Sequence, residues 1–137
     1  MSTRKDKTAA PTPGSPDRRS LGLAAEDAVA EQLRREGFAL LARNWRCREG
    51  EIDLVAREGD TLCFIEVRCK TDVAGGHPLE TVTGPKQRQV LRVARAYLER
   101  LGSPDVPVRF DVAGVVPRDG RFRITYIRDA FEARSGD

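Results

Sequence analysis

The sequence predicts an α/β domain whose elements follow one another as helix, three strands, helix and two strands. Apolar residues recur at helical spacing in two segments, 20–35 and 84–101. Short runs with alternating side chains, or rich in β-branched and aromatic residues, predict the strands. These runs are residues 38–45, 51–57, 62–70, 108–116 and 122–127. At 137 residues the chain is long enough for one domain with a substantial core.

The composition excludes a membrane-spanning or secreted protein. Hydrophobic residues make up 39% of the chain and charged residues 33%. No apolar run approaches the ~20 residues of a membrane span, and the N-terminus lacks the apolar core of a secretion signal. We therefore predict a cytoplasmic protein with no membrane partner. Cys47, Cys63 and Cys69 show no C-x-x-C spacing and are interpreted as reduced packing residues.

The N-terminal segment, residues 1–20, carries the whole formal net charge of +3. It holds five basic and two acidic groups of the 24 and 21 in the chain, so the remaining residues balance. Its Pro, Ser, Thr and Gly content without aromatics predicts disorder. This tail is either an arm that weakly attracts polyanions or a solvated segment with no role. We predict a single domain over residues 21–134.

One acidic residue interrupts the apolar side of the first helix. This helix is predicted to begin at Ser20, a good N-cap residue, and to end before Gly37. Its apolar positions are Leu23, Val29, Ala30 and Leu33. Glu26 lies three, four and seven residues before the last three of these, and carboxylates are seldom buried without a partner. Either Glu26 reaches water from the rim of the core, or it points into a site beside the sheet.

The most informative segment is the hairpin over residues 50–70. If Gly59 and Asp60 are the central residues of its turn, Asp53 stands directly opposite Glu66 and Glu51 opposite Arg68. Two carboxylates in that relation repel each other unless a cation lies between them. Mg²⁺ prefers such oxygens and takes only one or two protein carboxylates. The alternative is a surface hairpin whose polar face carries ordinary ion pairs.

Strict alternation assigns the faces of this hairpin. It places Ile52, Leu54 and Ala56 on one side of the first strand. In the second strand, the side that carries Glu66 and Arg68 also carries Lys70. The opposite side is apolar.

The second helix, residues 84–101, has a basic exposed side. Pro85 stands near its start, where proline is tolerated, and its apolar positions run from Val90 to Leu101. The exposed side is predicted to contact phosphates, and its nucleic-acid-binding residues would be Lys86, Arg88, Arg92 and Arg95. The alternative is an ordinary solvated surface.

Two other polar residues are open to two interpretations. His77, the only histidine, stands in a Gly- and Pro-containing loop and is either a base or ligand, or incidental. Asp111 either lines the same site as the hairpin acids or pairs with Arg109, and pairing is the simpler interpretation.

Several ordered motifs resemble the bacterial YraN family over nearly all of residues 20–128. They are Gly22…Glu26, Arg43-Asn44-Trp45-Arg46, Gly50-Glu51-Ile52-Asp53-Leu54-Val55, Phe64-Ile65-Glu66-Val67-Arg68, Pro78…Val82…Lys86, Ala96-Tyr97-Leu98 and Arg109-Phe110-Asp111-Val112. That family looks like a minimal member of the PD-(D/E)XK nucleases and is similar to archaeal Holliday-junction resolvases. The resemblance implies a restriction-endonuclease-like core, a mixed sheet flanked by helices, in the order αβββαββ.

The resemblance also implies a site and a substrate. Asp53, Glu66 and Glu26 would hold Mg²⁺ or Mn²⁺, which lowers the pKa of a bound water and stabilises charge on a phosphate. Glu51 would orient Arg68 through a charge-assisted hydrogen bond. The expected partner is DNA, whether branched, damaged or single-stranded, and a homodimer would suit a two-strand junction.

One position departs from the family pattern, because Arg68 stands where a lysine is expected. Arginine stabilises phosphate charge but stays protonated, so it cannot transfer a proton. Lys70, about 7 Å further along the same strand face, is a candidate substitute, and on this hypothesis Lys70→Ala lowers cleavage more than Lys86→Ala. The alternative function is a catalytically silent nucleic-acid-binding or scaffold protein that keeps the nuclease fold.

Overall fold

The computed structural model describes residues 18–70, 82–102 and 105–132. Seven elements occur in the predicted order, which confirms the α/β class and the arrangement αβββαββ. They are α1 (Arg18–Arg35), β1 (Ala39–Cys47), β2 (Gly50–Glu58), β3 (Thr61–Cys69), α2 (Gly84–Leu101), β4 (Val108–Arg118) and β5 (Arg121–Phe131). The predicted disorder of the tail lies almost wholly outside the described residues, and so does His77.

The five strands form one mixed sheet in the order β1-β2-β3-β4-β5. Neighbouring strands are antiparallel except β3 and β4, which pair in parallel from Leu62↔Val108 to Cys69↔Val115. Parallel strands require a crossover connection. The segment containing α2 provides it, which explains why a helix interrupts the strands at this point of the sequence.

Local interactions account for the start of α2 and the end of α1. The Thr83 hydroxyl accepts a hydrogen bond from the Lys86 backbone N–H at 3.3 Å, and Pro85 lies in the first turn of α2. After α1, Gly37 has φ 97°, and the Phe38 N–H bonds to the Leu33 carbonyl at 2.9 Å. The predicted cap at Ser20 is wrong, because α1 begins two residues earlier at Arg18.

Each helix covers one face of the sheet, so there are two cores. From α1, Val29 and Leu33 pack with Leu54, Ile65 and Val115 of the sheet. On the other face, α2 packs on a second apolar cluster. Its buried members are Ile52, Val55, Leu62, Phe64, Val90, Leu91, Val93, Ala94 and Phe110. Neither helix in the described part of the chain is both long and apolar enough to span a bilayer.

The three cysteines are free thiols, as predicted. Cys63 is buried in the α1-side core, Cys69 packs against the same core, and Cys47 packs on the α2 side. Burial raises the pKa of Cys63 to about 11, so this thiol stays protonated.

Three apolar side chains do not lie where periodicity places them. Leu23, in the second turn of α1, and Leu101, the last residue of α2, are 47% and 49% exposed. Ile52 packs on the α2 side together with Val55, whereas Leu54 and Ala56 pack on the α1 side. The strict alternation predicted for β2 is therefore wrong at Ile52, and it breaks at Asp53.

Candidate metal centre

The predicted hairpin register is confirmed from the turn as far as Leu54 and Ile65, and the predicted pairs Asp53 with Glu66 and Glu51 with Arg68 lie beyond the last backbone pair. Strands β2 and β3 pair from Glu58↔Thr61 back to Leu54↔Ile65, and the next position along each strand is Asp53 and Glu66. At this point a side chain replaces the backbone as hydrogen-bond acceptor, because Asp53 Oδ2 accepts a hydrogen bond from the Val67 N–H at 2.7 Å. The first acid of the site is therefore anchored to the strand that carries the second.

The break in alternation at Asp53 has a counterpart on β1. Asn44 lies between the paired positions Arg43↔Leu54 and Trp45↔Ile52 and has φ 50°, a left-handed conformation that asparagine tolerates better than most residues. A regular strand cannot contain this conformation, so the faces change over at this level of the sheet. Asn44 is a site residue within the motif Arg43-Asn44-Trp45-Arg46, and no pattern in the sequence predicts its role.

Asn44 also connects the sheet to α1. Its Nδ2 donates a hydrogen bond to Glu26 Oε1 at 2.9 Å. Burial raises the pKa of Glu26, the Asn44 hydrogen bond opposes this shift, and the negative charges of Asp53 and Glu51 add to it. Glu26 is half-buried at the rim of the α1-side core and lies within electrostatic range of Asp53. Glu26 therefore lies at the rim of the core, as in the first predicted position, and is close to the hairpin acids, as in the second.

Glu66 is the most unusual polar residue of the site. Its side chain is only 6% exposed, and its Oε2 lies 3.2 Å from Lys86 Nζ and 3.7 Å from Arg68 Nη1. The other oxygen, Oε1, is buried and has no hydrogen-bond partner in the part of the chain that the structure describes. Buried acceptors almost always have a hydrogen-bond partner, and an exception requires an explanation. A ligand bound at Oε1 would provide one.

The pKa values of both central carboxylates are raised, mainly by burial. Burial is the main cause of the raised pKa of Glu66, which reaches about 7, and the negative charge of Asp53 adds to it, whereas Lys86 and Arg68 act against it. Burial also raises the pKa of Asp53, while the Val67 hydrogen bond and the Lys86 charge lower it. Desolvation of two neighbouring acids leaves a site that binds positive charge more favourably than separate surface acids would.

Lys86 belongs to this site and not to the solvent-exposed side of α2. It is half-buried, and its ammonium contacts Glu66 and also Gln89 Oε1 at 3.3 Å. Helical spacing cannot reveal this, because Lys86 is in the first turn of α2, where the helix meets the end of β3. The sequence contained no comparable signal for Gln89.

The other predicted basic residues of α2 are exposed as expected. Arg88, Arg92 and Arg95 lie on the solvent side, and Arg92 Nε is 3.9 Å from Glu49 Oε1. Lys70 follows the end of β3, where its N–H bonds to the Val115 carbonyl at 2.8 Å. Its role as a substitute cation stays a prediction.

Glu51 also lies near the site. Its carboxylate forms an ion pair with Arg46 of β1, at 3.5 Å between Nε and Oε1, and its negative charge acts on both Glu26 and Asp53. The predicted contact between Glu51 and Arg68 stays a prediction.

The donor set fits a hard divalent cation with few protein ligands. Asp53 and Glu66 supply two carboxylates, one of them with an unsatisfied buried oxygen. Mg²⁺ is typically bound in this way, through one or two carboxylates with water or phosphate completing its coordination. Within residues 18–70, 82–102 and 105–132, no group of three or more His, Cys, Asp or Glu side chains is arranged to hold a metal. Glu26 as a third ligand therefore stays a prediction.

A second buried acid, Asp111, belongs to a separate structural network. Its carboxylate accepts hydrogen bonds from Arg109, at 2.9 Å from both Nε and Nη2, from the Tyr126 hydroxyl at 2.6 Å and from the Asp129 N–H at 2.9 Å. Arg109 also pairs with Glu58 at 2.8 Å, beside the hairpin turn. Asp111 is thus fully satisfied, and its pairing with Arg109 is confirmed.

The fold and the site together define an α/β protein with a two-carboxylate site at one end of a mixed sheet. The chain belongs to the uncharacterised protein family UPF0102, whose family model matches residues 25–115. This confirms the resemblance to the YraN family.

The relatives match over almost their whole length. The UPF0102 protein STH1475 of Symbiobacterium thermophilum is 48% identical over 116 residues, which cover 84% of this chain and 98% of the relative. A UPF0102 protein of Chromohalobacter salexigens is 46% identical over 117 residues, 85% of this chain and 94% of the relative. Among solved structures, Pyrococcus furiosus SfsA in complex with Ca²⁺ matches 83% of this chain and 64% of its own, at 17% identity and a TM-score of 0.41.

Proposed function

We propose that this protein is a metal-dependent endonuclease that hydrolyses phosphodiester bonds in DNA. The observation that carries the proposal is the buried, unsatisfied Oε1 of Glu66 beside the Asp53 carboxylate, with the Lys86 and Arg68 cations on the other oxygen of Glu66. Metal-dependent hydrolysis of a phosphodiester uses carboxylates that hold a metal ion and basic side chains that stabilise negative charge on the phosphate. Both kinds of group meet at this site.

Asp53 and Glu66 would hold Mg²⁺ or Mn²⁺, with Glu26 as a candidate further ligand through water. When bound, such a cation activates water and stabilises negative charge on the phosphate. Asp53 contributes through its fixed position, because its hydrogen bond to the Val67 N–H prevents free rotation of the carboxylate. Preorganisation of this kind is what makes a charged group effective in catalysis.

Lys86 and Arg68 would stabilise the pentavalent phosphate. Both cations approach the same oxygen of Glu66, so they already converge on one point of the site. Lys86 supplies a compact ammonium that donates up to three hydrogen bonds, and Arg68 supplies a planar guanidinium suited to two phosphate oxygens. The lysine that is missing from position 68 is therefore replaced in space by one from the start of α2.

The DNA backbone would run from the site along α2. The first turn of this helix carries Lys86, and helix N-termini favour anions such as phosphate. Arg88, Arg92 and Arg95 continue along the exposed side of the helix, where basic residues contact phosphates without reading sequence. A backbone-contacting surface of this type suits a nuclease that recognises DNA shape.

The test is cleavage of branched, single-stranded and linear duplex DNA in Mg²⁺ and in Mn²⁺, with chelator as the blank. Asp53→Asn is the decisive variant, because its amide oxygen can still accept the Val67 hydrogen bond while the charge is lost. We expect metal-dependent cleavage by the wild type and a loss of at least about 100-fold in the variant. DNA binding without cleavage in either metal would favour the catalytically silent binding protein.

Two copies of the protein would be needed to cut both strands of a junction. We therefore also propose that the active form on branched DNA is a symmetric homodimer, because a two-fold substrate matches a two-fold assembly. Sedimentation of the protein with and without a four-way junction tests this, and a single copy bound to each junction would contradict it.

A further inference from the structure

Gln89 lies one helical turn beyond Lys86, on the same side of α2. Residues three apart on a helix are neighbours, and here the Gln89 Oε1 accepts a hydrogen bond from the Lys86 ammonium at 3.3 Å. The same ammonium is 3.2 Å from Glu66 Oε2. Gln89 and Glu66 therefore hold Lys86 from two directions.

The other side of the Gln89 amide lies against Gly50, the first residue of β2. A Cβ atom placed on Gly50 would stand 2.8 Å from Gln89 Nε2, 3.1 Å from Cδ and 3.3 Å from Cγ. Real Cβ atoms essentially never approach a heavy atom to 2.8 Å, so a larger residue at position 50 would displace the flexible end of the Gln89 side chain from this place. Gly50 also has φ 143°, a conformation that L-residues rarely adopt.

These contacts matter because lysine is a flexible residue. Its ammonium sits on a four-carbon chain and loses rotamer freedom whenever it is fixed in one place. An acceptor that is itself confined by packing reduces the number of positions open to the ammonium. Gln89 is such an acceptor, since its amide lies close against Gly50 and is bonded to Lys86 on the same helix.

We propose that Gln89 is a positioning residue for Lys86 and that the absent side chain of Gly50 makes room for it. Gln89 accepts a hydrogen bond from one N–H of the ammonium, so that the other two N–H groups are directed to Glu66 and, when DNA is bound, to a phosphate oxygen. Only the phosphate contact rests on the proposed function. The contact with Glu66 exists in the protein alone.

The test follows the Lys86 ammonium by ¹H–¹⁵N NMR in the metal-free protein, where the chain has only four lysines and Lys86→Arg assigns the signal. The bond between Lys86 and Gln89 has a charged donor, and loss of such a hydrogen bond corresponds to a factor of about ten to a hundred. We expect Gln89→Ala to speed exchange of the Lys86 ammonium protons with water by that factor. Gln89→Glu, which keeps an acceptor in the same place, should restore slow exchange.

Gln87→Ala is the matched control, because Gln87 is on the same helix but donates to the Val82 carbonyl instead. It should leave Lys86 unchanged. Gly50→Ala should reproduce the effect of Gln89→Ala, whereas Gly59→Ala, at φ 61° with nothing within 4 Å of its Cβ, controls for alanine at a positive φ. Gln89→Asn, which draws the acceptor back by one carbon, serves if Gln89→Ala does not fold.

Unchanged exchange of Lys86 in a folded Gln89→Ala or Gln89→Asn protein would overturn the inference. A cleavage assay adds an independent readout, in which a positioning defect lowers kcat while KM for DNA stays constant. If the wild type cleaves no DNA, the proposed function fails, and the NMR measurement still decides the role of Gln89.

Discussion

The Asp53 carboxylate accepts the Val67 backbone N–H at 2.7 Å, directly beyond the last backbone pair of β2 and β3. This contact ties an acid of the proposed metal centre to the strand that carries its partner, Glu66. It gives Asp53 a structural role besides its charge, and the two roles can be separated.

Asp53→Ala should be less stable than Asp53→Asn. Alanine leaves the Val67 N–H without an acceptor, and an unsatisfied buried donor costs about 1–3 kcal/mol, whereas asparagine can still accept. The free energy of unfolding, from urea titration in chelator, measures the difference. Both variants should lose metal binding, and equal stabilities would show that water replaces the carboxylate at Val67.

Removing the charge of Glu66 by the substitution Glu66→Gln should stabilise the metal-free protein at alkaline pH. The pKa of Glu66 is raised to about 7, so the folded state binds more protons than the unfolded state between its ordinary pKa and 7. The folded state therefore loses stability as pH rises through this interval, by an amount on the order of 3 kcal/mol when complete. Glu66→Gln removes this loss. We expect its gain over the wild type to be larger at pH 8 than at pH 5 in urea unfolding.

Metal binding should show the opposite dependence on pH. A cation must displace the proton that Glu66 holds below about pH 7. The stabilisation of the wild type by Mg²⁺ or Mn²⁺, read as a rise in Tm, should therefore increase from pH 5.5 to pH 8. Glu66→Gln should show little of this increase. A rise in Tm that does not depend on pH would place the metal away from Glu66.

Lys86→Ala should lower DNA cleavage more than Lys70→Ala, the reverse of the order that strand spacing suggests. The Lys86 ammonium is 3.2 Å from Glu66, and loss of one preorganised donor to a developing charge costs about 100- to 1,000-fold in kcat. Single-turnover cleavage with saturating enzyme measures this step. A larger loss of cleavage in Lys70→Ala would show that Lys70, and not Lys86, replaces the lysine expected at position 68.

The exposed arginines of α2 should act on binding and not on the chemical step. Replacing Arg88, Arg92 or Arg95 by alanine should weaken binding uniformly across DNA sequences and lower the salt slope by about 1 for each phosphate that the variant no longer neutralises. Fluorescence anisotropy over a range of salt concentrations measures the slope. Arg118→Ala, at the exposed end of β4, is a control of the same charge. If it lowers the slope equally, DNA does not follow α2.

The sequence by itself determined the order of the elements and the register of the hairpin. Both depend on local rules, because the periodicity of apolar residues selects helix or strand, and the two-residue turn at Gly59 and Asp60 fixes which residues of β2 and β3 are opposed. The placement of Asp53 and Glu66 at one level of the sheet followed directly from that register.

Only the tertiary structure decided which residues outside the hairpin contact the acids of the site. Lys86, Gln89 and Asn44 come from segments outside the hairpin. They reach it because α2 packs on the face of the sheet that carries Glu66 and because β1 changes face at Asn44. A helical pattern shows which residues share a side of a helix, but it does not show which end of a strand that helix meets. Helical spacing alone places Lys86 on the exposed side of α2, and packing brings its ammonium to Glu66.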